Sequence, residues 1–505
     1  MGWKARMRRL RDPRLIIWWS IAWAIAVMAL APLVNFITPF LNPSYANQWT
    51  PDLYWRLVLY WHGGIFIPWV TVLAALVCLK FGLNDATGWS GHLVRNSVFL
   101  GAYFAVPIGG IAGIFDVYDH FALGAPLWTQ IWAFLIADEM AIALLLAIAF
   151  YPRTHGGYRK AGMPFYTIEA GVAGALFAAV MGHIGGWITW FGPWPQIVPQ
   201  YVSSQLGNSN STNLIMFTEN VVGSHSHLML VSLMAGVVAL VAVTFGYNAW
   251  SRRSRLAADF GFGVMIASLL GAMWIYIVSG VGNYAIPTFF QSGLNGIAGD
   301  DIVTGFVGLG AAFVLAGFLG YSLGRDGNGR RRLSDSLLGS VVASWLVIYF
   351  VIPVTGYYIE LNENFYQATG AGFDAAFTRF HQDFAFFLLP AVVTLVLVLE
   401  AYGISGKTRR RVGYLIFSGV LITFVFGEAY TMALLNLALL GVAVFGGFLI
   451  GLGALLGTAF LFKRSTTGDD LSLQSSASGT SSLQGGDKLN DKDGSRSREG
   501  RGGKG

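Results

Sequence analysis

Cysteine is almost missing. The 505 residues hold one, Cys78, inside an apolar run. A lone thiol excludes a disulfide framework, a cysteine-ligated iron–sulfur cluster and a Cys-x-x-Cys haem attachment. Charge is scarce as well: 11% of the residues carry it, where a soluble domain carries roughly a quarter. That shortage makes lipid, not water, the expected solvent, and it leaves no stretch that reads as a soluble catalytic domain. The net charge of +6 does not imply nucleic acid, because the basic residues follow a membrane pattern instead.

What the chain has in quantity is apolar length. It is 55% hydrophobic, with 64 glycines, and runs of about 20 apolar residues, enough for a helix to cross a bilayer, recur along most of it. They fall at about 15–36, 57–81, 97–115, 127–151, 165–191, 217–246, 259–283, 302–324, 335–358, 380–403, 412–434 and 438–462. A spanning helix satisfies its own backbone hydrogen bonds, which an open sheet cannot do in lipid. The expected fold class is therefore an all-α polytopic transmembrane bundle of about 12 helices. Small residues let such helices approach closely.

Lysine and arginine set the orientation. With the N-terminus inside, the inner segments hold Lys80 and Arg95, then Arg153, Arg159 and Lys160, then Arg252, Arg253 and Arg255. Arg325, Arg330, Arg331 and Arg332 follow, then Lys407, Arg409, Arg410 and Arg411, then Lys463 and Arg464. The outer segments hold only Arg56 and Arg379. This predicts both termini in the cytoplasm and a multi-pass protein of the cytoplasmic membrane. Residues 1–14 form a basic N-terminus, 15–462 the membrane domain, and 463–505 a polar tail expected to be disordered. The first run is too long for a signal-peptide core and reads as a retained helix.

The topology gives the histidines a depth. His62, His183, His225, His227 and His381, with His120 at a helix end, fall near the outer face, whereas His92 and His155 fall in inner loops. Ionisable residues within spans tend to mark function, and imidazole is a common ligand for metals and haem iron. Taken singly, each histidine also suits a backbone hydrogen bond or the headgroup layer. Residues two apart on a helix diverge by about 200°. His225 and His227 are therefore expected to serve two sites flanking one helix, in pairings the sequence leaves open. Arg56 and Arg379, near His62 and His381, suit haem propionates or interfacial snorkelling. Trp55, Trp61, Trp69, Trp187, Trp190, Trp194, Tyr357 and Tyr358 read chiefly as an interfacial belt. Asp138, Glu139, Glu169, Glu219, Asp383 and Glu428 are proton-path residues or, equally, structural carboxylates.

The segment Trp61-His-Gly-Gly-Ile-Phe66 resembles the helix-2 His-Gly segment of the haem–copper oxidase and nitric oxide reductase large-subunit superfamily. The resemblance implies about twelve helices, His62 as a low-spin haem ligand, and His381 on a comparable tenth helix as another. Gly223-Ser-His-Ser-His-Leu-Met-Leu230 is similar to the His-x-His-Leu segments of related haem-binding membrane proteins. The chain has no His-Pro-Glu-Val-Tyr segment, no adjacent His-His pair and no His-x-His on the tenth run. The superfamily's copper site and oxygen-reducing haem therefore do not carry over.

The leading expectation is a respiratory-type membrane b-type cytochrome. It holds one or two haem b groups near the outer face and works with quinol and other respiratory-complex subunits. An oxygen- or nitric-oxide-reducing subunit is the near variant and needs a second metal such as copper. A secondary transporter or channel is the rival, favoured by breaks expected at Gly109-Gly110 and Gly185-Gly186. A haem-free anchor for a redox partner is the third reading.

Overall fold

The computed structural model describes residues 3–41, 64, 66–81, 88–111, 162–191, 212–285, 296–362, 388–433 and 436–466. These residues are helical, with an isolated bridge between Arg325 and Arg331 and no strand among them. The helices are α1 (Trp3–Leu10), α2 (Pro13–Leu41), α3 (Ile67–Phe81), α4 (Gly88–Leu100), α5 (Met163–Phe191), α6 (Thr212–Thr244) and α7 (Arg252–Ala285). There follow α8 (Gly296–Ser322), α9 (Ser336–Leu346), α10 (Ile352–Leu361), α11 (Leu389–Ala401), α12 (Gly406–Met432) and α13 (Leu437–Thr466). Six helical stretches among the described residues, from Gly91–Ile111 to Leu437–Lys463, are long and apolar enough to cross a membrane. The expected run at 127–151 and the tail beyond 466 lie outside the described residues. The third expected run begins earlier than its apolar core: α4 starts at Gly88, so His92 is helical rather than in a loop.

Local chemistry explains where helices start. Asp12 Oδ1 accepts from Arg14 N at 2.9 Å before α2, and Ser251 Oγ accepts from Ser254 N at 3.2 Å before α7. Asp335 Oδ1 accepts from Leu337 N at 3.1 Å before α9, and Asn436 Oδ1 accepts from Ala438 N at 3.0 Å before α13. Each cap satisfies an amide that the helix itself leaves unpaired.

Proline explains where helices widen. π-helical turns occupy Gly101–Ala105 and Val347–Val351, and Gly64, Phe66 and Leu388 are also π-helical. Each of these segments is followed after one residue by a proline: Pro68, Pro107, Pro353 and Pro390. Proline has no N–H and clashes with the carbonyl four residues back, and a wider turn relieves the clash. Val106 N–H bonds Gly101 O, and Pro107 has no amide for Ala102 O. The indole of Trp19 on α2 supplies that bond at 2.8 Å. The Gly-Gly pairs expected to break helices do not: α5 runs unbroken past Gly185-Gly186, and 106–111 is α-helical. A Cβ on Gly110 would stand 2.8 Å from Val27 Cγ2, so that glycine serves close packing against α2.

Neighbouring helices pair as antiparallel hairpins, α5 with α6, α7 with α8, and α12 with α13, whereas α9 lies parallel to α12. Missing side chains let the backbones meet. A Cβ at Gly171 would stand 2.8 Å from Ser232 O, and one at Gly419 would stand 2.8 Å from Gly446 O. Cys78 is buried in α3, as expected of a core thiol.

The described arginine-rich turns gather at one end. Arg409 donates to both Asp335 and Glu400, and its NH1 reaches Ile404 O at 3.2 Å, joining the starts of α9 and α12 to the end of α11. Trp250, before α7, stacks on Tyr321 of α8 at 5.6 Å, and Arg332 lies 4.1 Å over that same ring. Trp18 near the start of α2 meets Phe462 near the end of α13 at 5.4 Å, and Arg11 lies 5.9 Å over Phe99 of α4. Burial pushes the phenol of Tyr402, after α11, above its ordinary value, and the charge of Asp12 adds to the rise. Between α6 and α7, burial and then a hydrogen bond to Asp259 push the Tyr247 phenol above its ordinary value.

Candidate functional site

The residues that frame the proposed site are those of α6. No residue from Leu228 to Ala242 is exposed. A helix apolar on every side and covered on every side is an interior helix. Its neighbours are α3, α5, α7, α8 and α11. Lipid therefore does not reach this part of α6.

Helices α5 and α6 carry histidines, and α3 and α11 begin after one in the chain. His183 is in α5, and His225 and His227 are in α6. His62 lies seven residues before Trp69 of α3, and His381 lies thirteen before Thr394 of α11. The side chains of His183, His225, His227 and Glu219 lie outside the described residues. So do residues His62, His381, Arg56, Arg379, Asp138, Glu139, Asp383, His120 and His155 entirely. Among the described residues, no group of three or more His, Cys, Asp or Glu is placed to hold a metal.

Helix α3 touches both α6 and α11, and α6 touches α11, so the three form one mutually packed trio. A buried chain of hydrogen bonds fixes two of them: Trp69 Nε1 donates to Thr394 Oγ1 at 2.9 Å, and Thr394 Oγ1 donates to Pro390 O at 2.8 Å. Trp69 is thus a core residue, not part of the interfacial belt; its indole N–H found a partner that the sequence did not reveal. Replacing Thr394 with valine is expected to leave that N–H buried and unpaired. The loss is about 1–3 kcal/mol, read as a lower melting temperature in detergent, with Thr458→Val on α13 as the comparison.

Backbone register places the histidines more finely. Gly174 of α5 meets Ser232 and Leu228 of α6, and Gly171 meets Ser232 and Gly236. At 1.5 Å per residue, position 183 lies roughly 13.5 Å beyond Gly174, and position 225 roughly 10.5 Å beyond Ser232 in the same direction. The two positions therefore lie within about one helical turn of the same height. Position 225 falls on the stripe of Leu228 and Ser232 that meets α5, because seven residues make about two turns. Position 227 lies about 140° round α6 from Ser232, and position 183 lies half a turn from the α6-facing stripe of α5. The α5–α6 seam thus carries position 225 but neither of the others.

Of the remaining expected residues, Glu428 is buried in α12, which packs against the π turn Val347–Val351, and Glu169 is half-buried in α5. His92 is exposed, its Nδ1 3.2 Å from Arg95 Nη2. Tyr358 is exposed, as a residue at the lipid boundary is expected to be. The Asp335–Arg409–Glu400 cluster escaped sequence reading, although Asp335 before an apolar run is a cap signal. No family model, curated protein or solved structure matches this chain.

Proposed function

We propose that this chain is a membrane b-type cytochrome of respiratory type, with twelve spans and both termini on the cytoplasmic side. It carries one or two haem b groups near the outer face. The observation that supports this most is the enclosure of α6. Just beyond the His-Ser-His segment, from Leu228 to Ala242, this helix is surrounded by protein, and of its partners α5 contains position 183 while α3 and α11 follow positions 62 and 381 in the chain. Histidines approaching an enclosed helix from several spans suit axial ligation of a flat macrocycle, for which imidazole is the usual nitrogen donor. Arg56 and Arg379 would hold the propionates, and quinol or an outer donor would supply electrons to partner subunits. An oxygen- or nitric-oxide-reducing subunit is the variant with a second metal, such as copper, beside the haem.

The experiment is a pyridine haemochrome assay on the purified chain with a reduced-minus-oxidised spectrum. A b-type spectrum is the expected result. Purified, folded protein with no Soret band sinks the proposal. That outcome would favour the transporter reading, which draws its support from buried Glu428 and the proline-linked π turns within spans. It would also fit a haem-free anchor.

A further inference from the structure

At the arginine-rich end, the turn between α8 and α9 lines a half-open pocket of about 600 Å³. Its walls are Ser322, Leu323, Arg325, Arg331, Leu333 and Ser334. Ser322 is fully buried, yet its hydroxyl has no hydrogen-bond partner. A buried helical serine ordinarily bonds the carbonyl four residues back, as Ser340 and Ser344 do on α9. An unmade bond at a cavity wall is costly unless something in the cavity completes it.

The charges point to the occupant. Arg325 spends one N–H on Gly329 O at 3.3 Å. Neither Arg325 nor Arg331 is paired with a carboxylate among the described residues. Asp326, the nearest acid in sequence, is committed to the turn: its Oδ1 accepts from Asn328 N at 2.9 Å and Arg330 N at 2.8 Å. Arg332 is held elsewhere, over the Tyr321 ring and against Tyr321 O at 3.0 Å. Two guanidinium groups with N–H groups to spare and an unsatisfied hydroxyl make a phosphate-binding set. Leu323 is exposed beside it. The span Gly305–Ser322 ends where the cavity begins, which puts the cavity at headgroup depth. Basic pockets at such positions hold anionic headgroups.

We propose that this cavity binds a phosphate-bearing anion between Arg325 and Arg331, with Ser322 as an additional donor. The source is an acidic phospholipid headgroup or free phosphate. The proposal stands apart from the haem reading and needs only that the chain spans a membrane.

The test is native mass spectrometry on the full detergent-purified chain with short-chain phosphatidylglycerol, short-chain phosphatidylcholine and inorganic phosphate. Phosphatidylglycerol is expected to bind in preference to phosphatidylcholine. Arg325→Gln and Arg331→Gln are each expected to weaken it roughly fivefold. Ser322→Ala is expected to weaken binding without lowering the melting temperature of the lipid-free protein. Arg252→Gln with Arg253→Gln, at the same end but outside the cavity, should bind as wild type. Tighter phosphatidylglycerol than phosphate assigns the lipid as source; the reverse assigns the soluble ion. Binding of neither probe overturns the site. So does an affinity equal to wild type in the Arg325 and Arg331 variants, or an equal loss in the Arg252/Arg253 control.

Discussion

Replacing Gly261 with valine is expected to abolish or nearly abolish recovery of folded protein from the membrane. A Cβ at this position of α7 would run into Gly310 O and stand 2.8 Å from Val314 N of α8. Those are backbone atoms, and no rotamer change moves them. Overpacking a close interface costs about 1–3 kcal/mol when side chains can yield, and more when they cannot. Stability of a whole domain is only about 5–15 kcal/mol, so the α7–α8 hairpin would open or shift. The control is Gly271→Ala on the same helix, where a Cβ meets nothing within 4 Å. It should be neutral or slightly stabilising, since alanine is the better helix former. Fluorescence-detected size exclusion of the two variants decides the matter. A monodisperse, wild-type-like Gly261→Val protein would show that the two helices do not touch there.

That contact illustrates what sequence could and could not tell. Run length pointed to the six described stretches that are long and apolar enough to cross a membrane, because a helix in lipid must bury a fixed length of apolar chain. Arginine placement predicted that the basic turns share one end, and the described turns at Arg11, Arg332 and Arg409 each join neighbouring helix ends. Partner choice was hidden. Glycines are spread through nearly every span, and the sequence does not say that Gly261 faces Gly310 while Gly271 faces open space. Helix irregularity was misjudged for a related reason. Gly109-Gly110 and Gly185-Gly186 looked like breaks, yet glycine keeps its N–H and a helix in lipid retains it. Pro68, Pro107, Pro353 and Pro390 do not donate, and the backbone widens before each of them.

The site was legible as an inventory rather than as an arrangement. Depth along a span follows from counting residues, so the histidines expected in an outer layer could be named. Which helix sits at the centre depends on tertiary packing. Only the absence of a polar face on α6 from Leu228 to Ala242 hinted that it is surrounded. Trp69 shows the limit from the other side. An indole near the outer layer reads as a belt residue, and its hydrogen bond to Thr394, 325 positions away, is invisible in one dimension.

His225→Ala and His227→Ala are expected to remove different parts of the prosthetic inventory. The two positions lie about 200° apart on α6, with position 225 on the stripe that meets α5. From Leu228 to Ala242 other helices cover every face of α6, and the prediction extends that cover to the turn before it, so that each position borders its own site. With two haems, each variant should lose one and keep the other, seen as halved haem per chain and a different surviving difference spectrum. With one haem and one metal, one variant should lose the Soret band and the other the metal by elemental analysis. Either loss is far larger than a stability effect, because removing an axial imidazole removes the cofactor's bond to the protein. Melting temperatures measured alongside keep misfolding from mimicking the result. Complete loss of everything in both variants, with the fold intact, would mean a single shared site. The backbone of α6 would then have to depart from regular helix between Gly223 and Leu228.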